Sequence, residues 1–209
     1  MHKTDISPIR SAFGDNIPAT LRVHVPEAAS GLGLLLQSGV GVDCLTGISL
    51  ERLLVEELQL GKELRNKLNV FLLDGKPVDE PDKAVVDNGC RLALAAGVPG
   101  VVGMAMRSGS PVAAMRPSIT HHAGENEKKA EAAPGRIELA LFSLALPFLA
   151  PHMLRRGILV HAHKLKPYLR PTLMQSCIIN NTTTSVEQSR HLLAALAPEN
   201  LVLMTAILR

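Results

Sequence analysis

Two Asx-Gly pairs, Asp74-Gly75 and Asn88-Gly89, constrain this chain more than any other feature. Each supplies the positive-φ backbone that a tight turn between antiparallel strands requires, at little steric strain. The segments around them run apolar. "NVFLLDGKPV" reads as a strand turning back on itself, and "DEPDKAVVDNGCRLALAAG" as a polar crossing, a turn and a last strand from Cys90 to Ala96. These turns commit Asn69 to Ala96 to a sheet.

The residues before it supply further elements. In "ATLRVHVP" (Ala19 to Pro26), Leu21, Val23 and Val25 alternate with Arg22 and His24, the period-2 pattern of a half-buried strand. "SGLGLLLQSGVGVDCLTG", Gly-rich at both ends, is read as a second strand with a wide turn. "ISLERLLVEELQLGKELRNKL" is the strongest helix. Ser49 offers its N-cap, and Leu50, Leu53, Leu54 and Leu58 form an apolar stripe opposite Glu51, Arg52, Glu56 and Glu57. Gly61 ends it or marks a break before a second short helix. Residues 1–18 read as a flexible lead-in.

The order strand, strand, helix, strand, turn, strand over 19 to about 103 resembles the β-grasp fold. Asp74-Gly75-Lys76-Pro77-Val78, Val86-Asp87-Asn88-Gly89-Cys90-Arg91 and Gly97-Val98-Pro99-Gly100 look most like the sulfur-carrier proteins of molybdopterin and thiamine synthesis. The resemblance implies an α+β chain, with a β-grasp-like mixed sheet and one packed helix over 19–106. For a carrier it also implies a terminal Gly-Gly whose carboxylate is adenylated and converted to a thiocarboxylate. This chain has no Gly-Gly pair and runs on for more than a hundred residues past Gly100. A carrier would therefore require cleavage after Gly100 or Gly103. The reading adopted instead is a scaffold retained for binding, its open face and edge strands offering docking surfaces. Gly97, Pro99 and Gly100 then read as a hinge out of the last strand.

Residues 107–135, "RSGSPVAAMRPSITHHAGENEKKAEAAPG", mix Ser, Pro, Gly, Ala and charge without a sustained period and read as a linker or mobile loop. A smaller C-terminal α/β or α+β domain is expected over 136–209. Its first element is an apolar helix from Ile137 to Leu154. Glu138, Pro147, Pro151 and His152 interrupt it, which favours a buried or interface helix over a membrane span. "RGILVHAHKL" is a short strand or a continuation of that helix. Then come a strand (Cys177 to Ile179), a polar loop, a helix (Ser185 to Leu196) stopped by Pro198, and a strand (Leu201 to Leu208). Two apolar strands flanking a helix suggest a crossover within one sheet.

Composition narrows the function. Hydrophobic residues are 46 % and aromatic ones 2 %, with Tyr168 the single Tyr and no Trp. The core must be aliphatic, and modules that stack bases on aromatic rings are excluded. A net charge of +3 is too small and scattered for a dedicated polyanion partner. Cys44, Cys90 and Cys177 lie far apart, which fits reduced thiols rather than a disulfide framework or a four-thiolate cluster. "MHKTDISPIRSAFGDN" holds no apolar h-region, and a cytoplasmic location is expected.

Candidate sites are few. His161-x-His163 can turn two imidazoles to one side of a strand, and with His152 nearby they are the candidate metal ligands, although no carboxylate or Cys shares the stretch. His121-His122 read as solvated. Asn180, Asn181, Thr182, Thr183, Thr184 and Ser185 open a helix through a capping box, Thr184 with Glu187 or Ser185 with Gln188. Free N–H groups and hydroxyls there favour a phosphate or carboxylate. The plainer reading is a turn and a cap, and the Gly-rich spacing and Lys of a phosphate loop are missing. Cys44, beside Asp43 in a Gly-rich loop, is expected to be the most exposed thiol, with no evident base. No catalytic residue stands out and no cofactor is indicated. The expected function is a non-catalytic protein-interaction or accessory module with a protein partner or homo-oligomer, no nucleic acid and no membrane span. The alternative is a ligand-binding or enzymatic C-terminal domain, with an anion site at Asn180 to Ser185 and His161 or His163 as the acid–base group.

Overall fold

A computed structural model of the chain describes residues 19–25, 30–111, 120–121, 131–170 and 176–208. Helices and a mixed arrangement of strands make it an α+β protein, as expected. The chain forms two compact units, Val42–Leu149 and Met1–Gly41 with Ala150–Arg209. The first is inserted into the second, so they are called the inserted and the host unit. The division does not fall at residues 107–135. Of that stretch, 112–119 and 122–130 lie outside the described residues, as do 1–18, and Ala133 to Gly135 already belong to a strand.

The inserted unit takes most of β2 (Val40–Thr46), then β3 (Ile48–Ser49) and α1 (Leu50–Arg52), which continues as a π-helical turn over Leu53–Glu57. Next come α2 (Lys62–Lys67), β4 (Val70–Leu73), β5 (Lys76–Pro77), β6 (Val85–Val86), β7 (Arg91–Ala96), α3 (Gly100–Met106) and β8 (Ala133–Ser143). The main sheet runs β2-β8-β7-β4-β5, while β3 pairs with β6. β4 is antiparallel to β5 and to β7, and β7 is parallel to β8. This register stacks Phe71, Leu94 and Leu141 in one row and Leu73, Leu92 and Leu139 in the next, all buried. Leu50, Leu53, Leu54 and Leu58 of the helical stripe are fully buried too. Ser49 caps α1 by accepting from the Arg52 N–H, and Glu57 Oε2 accepts from the Leu45 N–H at 2.9 Å. Asp74 (φ 49°) and Gly75 (φ 78°) form the expected turn between β4 and β5.

Two expected elements differ here. Ile137 to Leu154 is not one helix: β8 ends at Ser143, whose φ of 53° turns the chain, and α4 (Ala145–Arg156) follows. Ile137, Leu139 and Leu141 alternate with Arg136 and Glu138, a period of two masked by the apolar Ala140 and Phe142. Likewise Ser30–Ser38 is a 3₁₀ helix, and only Val40–Thr46 of that Gly-rich stretch is a strand.

The host unit contains β1 (Ala19–Val25), β9 (Ile158–His161), the short α5 (Ala162–Leu165), β10 (Ser176–Ile179), β11 (Thr182–Thr184), α6 (Val186–Ala194) and β12 (Leu201–Leu208). Its sheet runs β11-β10-β1-β12-β9. β1 therefore lies between β10 and β12 and pairs with neither β4 nor β7, the neighbours that the reading over 19–106 required. It is parallel to β12 (Leu21↔Met204) and antiparallel to β10 (Leu21↔Ile179). Its alternation predicts a buried face correctly but carries no information on which strands lie alongside. β10 and β12 do share a sheet, with α6 between β11 and β12. Val186, Ser189 and Leu193 of α6 are buried. Phe71 apart, the core formed by the described residues is aliphatic, as composition demands. Among the described residues no helix is long and apolar enough to cross a membrane.

Candidate functional site

In the inserted unit, β7 ends in a compact turn. Gly97 has φ 60°, and a Cβ there would lie 2.7 Å from Leu144 Cδ1. Pro99 precedes α3 in extended backbone, and Gly100 (φ 79°) begins it. A Cβ on Gly103 would come within 2.1 Å of the Val98 carbonyl oxygen. Gly97, Pro99 and Gly100 thus form an exposed strand-to-helix turn inside one unit rather than a joint leading to a second domain. Val101 and Met104 of α3 and Phe142 and Leu144 at the end of β8 remain exposed, at 70, 45, 40 and 60 %. The Leu144 N–H donates to the Ala96 carbonyl, and Phe142 registers with Ala95. All four side chains therefore belong to segments that begin or end where β7 leaves the sheet.

In the host unit, Leu21 and Val23 register with Ile179 and Cys177 on the buried face, so Thr20, Arg22 and His24 occupy the other. The registers set Arg22 between Ile178 of β10 and Thr205 of β12, and Thr20 beside Leu203. A small pocket opens there, lined by Thr20, Leu21, Arg22, Ile178, Asn181, Leu203 and Thr205. Among the described residues no side chain pairs with the guanidinium of the half-buried residue Arg22, and none hydrogen-bonds the hydroxyl of Thr205, a residue 8 % exposed. Gly157 (φ 108°) packs against Thr205 Cγ2 and Leu203.

The expected anion loop is largely used by the fold. Asn180 (φ 47°) and Asn181 (φ 68°) make a two-residue turn between β10 and β11, both in the left-handed region that type I′ hairpins need. Asn180 Oδ1 accepts from the Thr20 N–H at 2.9 Å, pinning the turn to β1. Thr182, Thr183 and Thr184 pair along β10, and the Thr184 hydroxyl meets Ser189 Oγ at 2.8 Å. Ser185 forms the complete capping box with Gln188. Only Asn181 of the six lines the pocket, and Arg22 and Thr205 carried no signal beyond their place in a strand pattern.

His161 and His163 stack with ring centroids 5.7 Å apart, their Nδ1 atoms within hydrogen-bond distance of the Glu199 and Pro198 carbonyls (2.9 and 2.7 Å). No group of three metal-ligating side chains occurs among the described residues, so His152 does not join them into a site. The cysteines are all buried, Cys44 included, because it lies in β2 rather than in a loop. Burial, reinforced by the Asp74 carboxylate, pushes the Cys90 thiol up to about 12. Burial also raises Cys177, partly offset by a hydrogen bond with Ser189.

No known protein family, curated protein or solved structure matches this chain.

Proposed function

We propose that the chain is a non-catalytic interaction protein of the cytoplasm whose inserted unit is a β-grasp scaffold with its strands in permuted order. In this reading β2 leads into the helix α1, β4, β5 and β7 follow, and β8 returns to take the place of the missing first strand. The parallel β7–β8 pair at the centre of the sheet supports it, as does the antiparallel β4 beside β7. The observation that carries the functional reading is the exposed apolar group Val101, Met104, Phe142 and Leu144. Large apolar side chains gathered at one end of a sheet favour burial against another protein. The buried, raised Cys90 and Cys177 thiols are poor nucleophiles at neutral pH, which agrees with a binding role.

The test compares the wild-type chain with the Phe142→Asp, Leu144→Asp double variant, by sedimentation for self-association and by affinity capture for other proteins. Both side chains are largely exposed, so the variant is expected to keep its melting temperature and weaken the contact about tenfold or more. A variant that self-associates and captures the same proteins as wild type would remove this surface from the account.

A further inference from the structure

We propose that the pocket on the Arg22 face of the host sheet binds the phosphate group of a small phosphorylated molecule. Arg22, a half-buried residue whose guanidinium has no carboxylate beside it among the described residues, is free to take an anion as its counter-charge. Arg22 supplies that charge in a planar fork suited to two oxygens of an anion. Thr205, in register with Arg22 across the β1–β12 pair, brings a hydroxyl with no protein partner among the described residues, and Asn181 lines the pocket beside them. A carboxylate would be satisfied by the fork alone, whereas these further donors suit a third oxygen. Ile178 and Leu203 provide apolar walls that strengthen the interaction by limiting solvent.

The charge of the host unit agrees. Its only acidic side chains among the described residues are Glu187 and Glu199, and Glu187 is held by Arg190 at 3.3 Å. Arg155, Arg156, Lys164, Lys166 and Arg170 share the unit with Arg22 and make its potential favourable to anions. The anion lies at the sheet face beside Asn181 and not at the start of α6, where Ser185 and Gln188 already satisfy each other's N–H groups.

The experiment titrates the full-length chain with inorganic phosphate, and separately with acetate, at constant ionic strength, following the amide resonances of Thr20, Arg22, Asn181 and Thr205. Phosphate is expected to shift them saturably. Binding should weaken about tenfold or more in Arg22→Gln, roughly the loss of a charge-assisted bond, and measurably in Thr205→Val, each checked for an unchanged melting temperature. If Arg22→Gln fails to fold, Thr205→Val carries the comparison. Unmoved resonances, equal binding by the folded variants, or acetate binding as tightly as phosphate would overturn the proposal. The apolar surface of the inserted unit is untouched by these changes, so the contact assay reads it independently.

Discussion

The Asp43 carboxylate is 2 % exposed and accepts a hydrogen bond from Arg136 Nε at 2.7 Å, joining β2 to β8. Replacing Arg136 with Met removes this counter-charge from a buried carboxylate. Urea denaturation of that variant is expected to show a loss of about 3 kcal/mol, with a substantial part recovered when Asp43→Asn is added. Cys90 makes a prediction in pH. Its thiol is raised from 9.0 to about 12, so the folded state disfavours the thiolate relative to the unfolded chain. Its contribution is intact below about pH 9 and is lost as pH rises toward 12, with a slope of up to about 1.4 kcal/mol per pH unit. Stability measured against pH should fall less steeply in Cys90→Ala over that range, and identical slopes would contradict it. At this scale Asp74-Gly75 was readable because Asx-Gly has a single strong conformational meaning. Asn180-Asn181 was not, since two asparagines serve a left-handed turn and a ligand loop equally well, and only the backbone angles separate them.

Elements were readable where one period dominated. The apolar stripe that begins in α1 and the cap at Ser49 follow from spacing alone, whereas spacing allowed two capping boxes before α6 and the structure forms the Ser185–Gln188 one. Ser185→Ala should therefore destabilise the protein by about 1 kcal/mol in thermal or urea unfolding. β8 was hidden because the buried Ala140 and the exposed Phe142, on the other face from Leu139 and Leu141, are themselves apolar, so the alternation dissolved into a run that looks helical. Its close fit to β2 is testable. A Cβ on Gly135 would lie 2.4 Å from Thr46 Oγ1 and 3.0 Å from Asn88 Oδ1. Gly135→Ala is expected to cost about 2 kcal/mol, the usual penalty for overpacking at a contact of this kind. A variant as stable as wild type would mean that β8 does not approach β2 so closely.

The aliphatic core and the α+β class followed from composition and pattern, because both sum over many residues. The nesting of one unit inside the other did not. Strand neighbours far apart in the chain, such as β1 with β12 and β7 with β8, leave no local mark in the sequence, and the residues before β8 look like a linker whichever side it joins. The reading over 19–106 and the unit Val42–Leu149 assign different strands to the same helix, and they can be separated. Fragments 42–149 and 19–106 should be expressed apart and compared by amide spectrum and thermal unfolding. The inserted unit is predicted to give a dispersed spectrum and one cooperative transition, while 19–106, lacking β8, is predicted to give neither. A folded 19–106 fragment beside an unfolded 42–149 would contradict the assignment of β8 to this sheet, and with it the permuted scaffold.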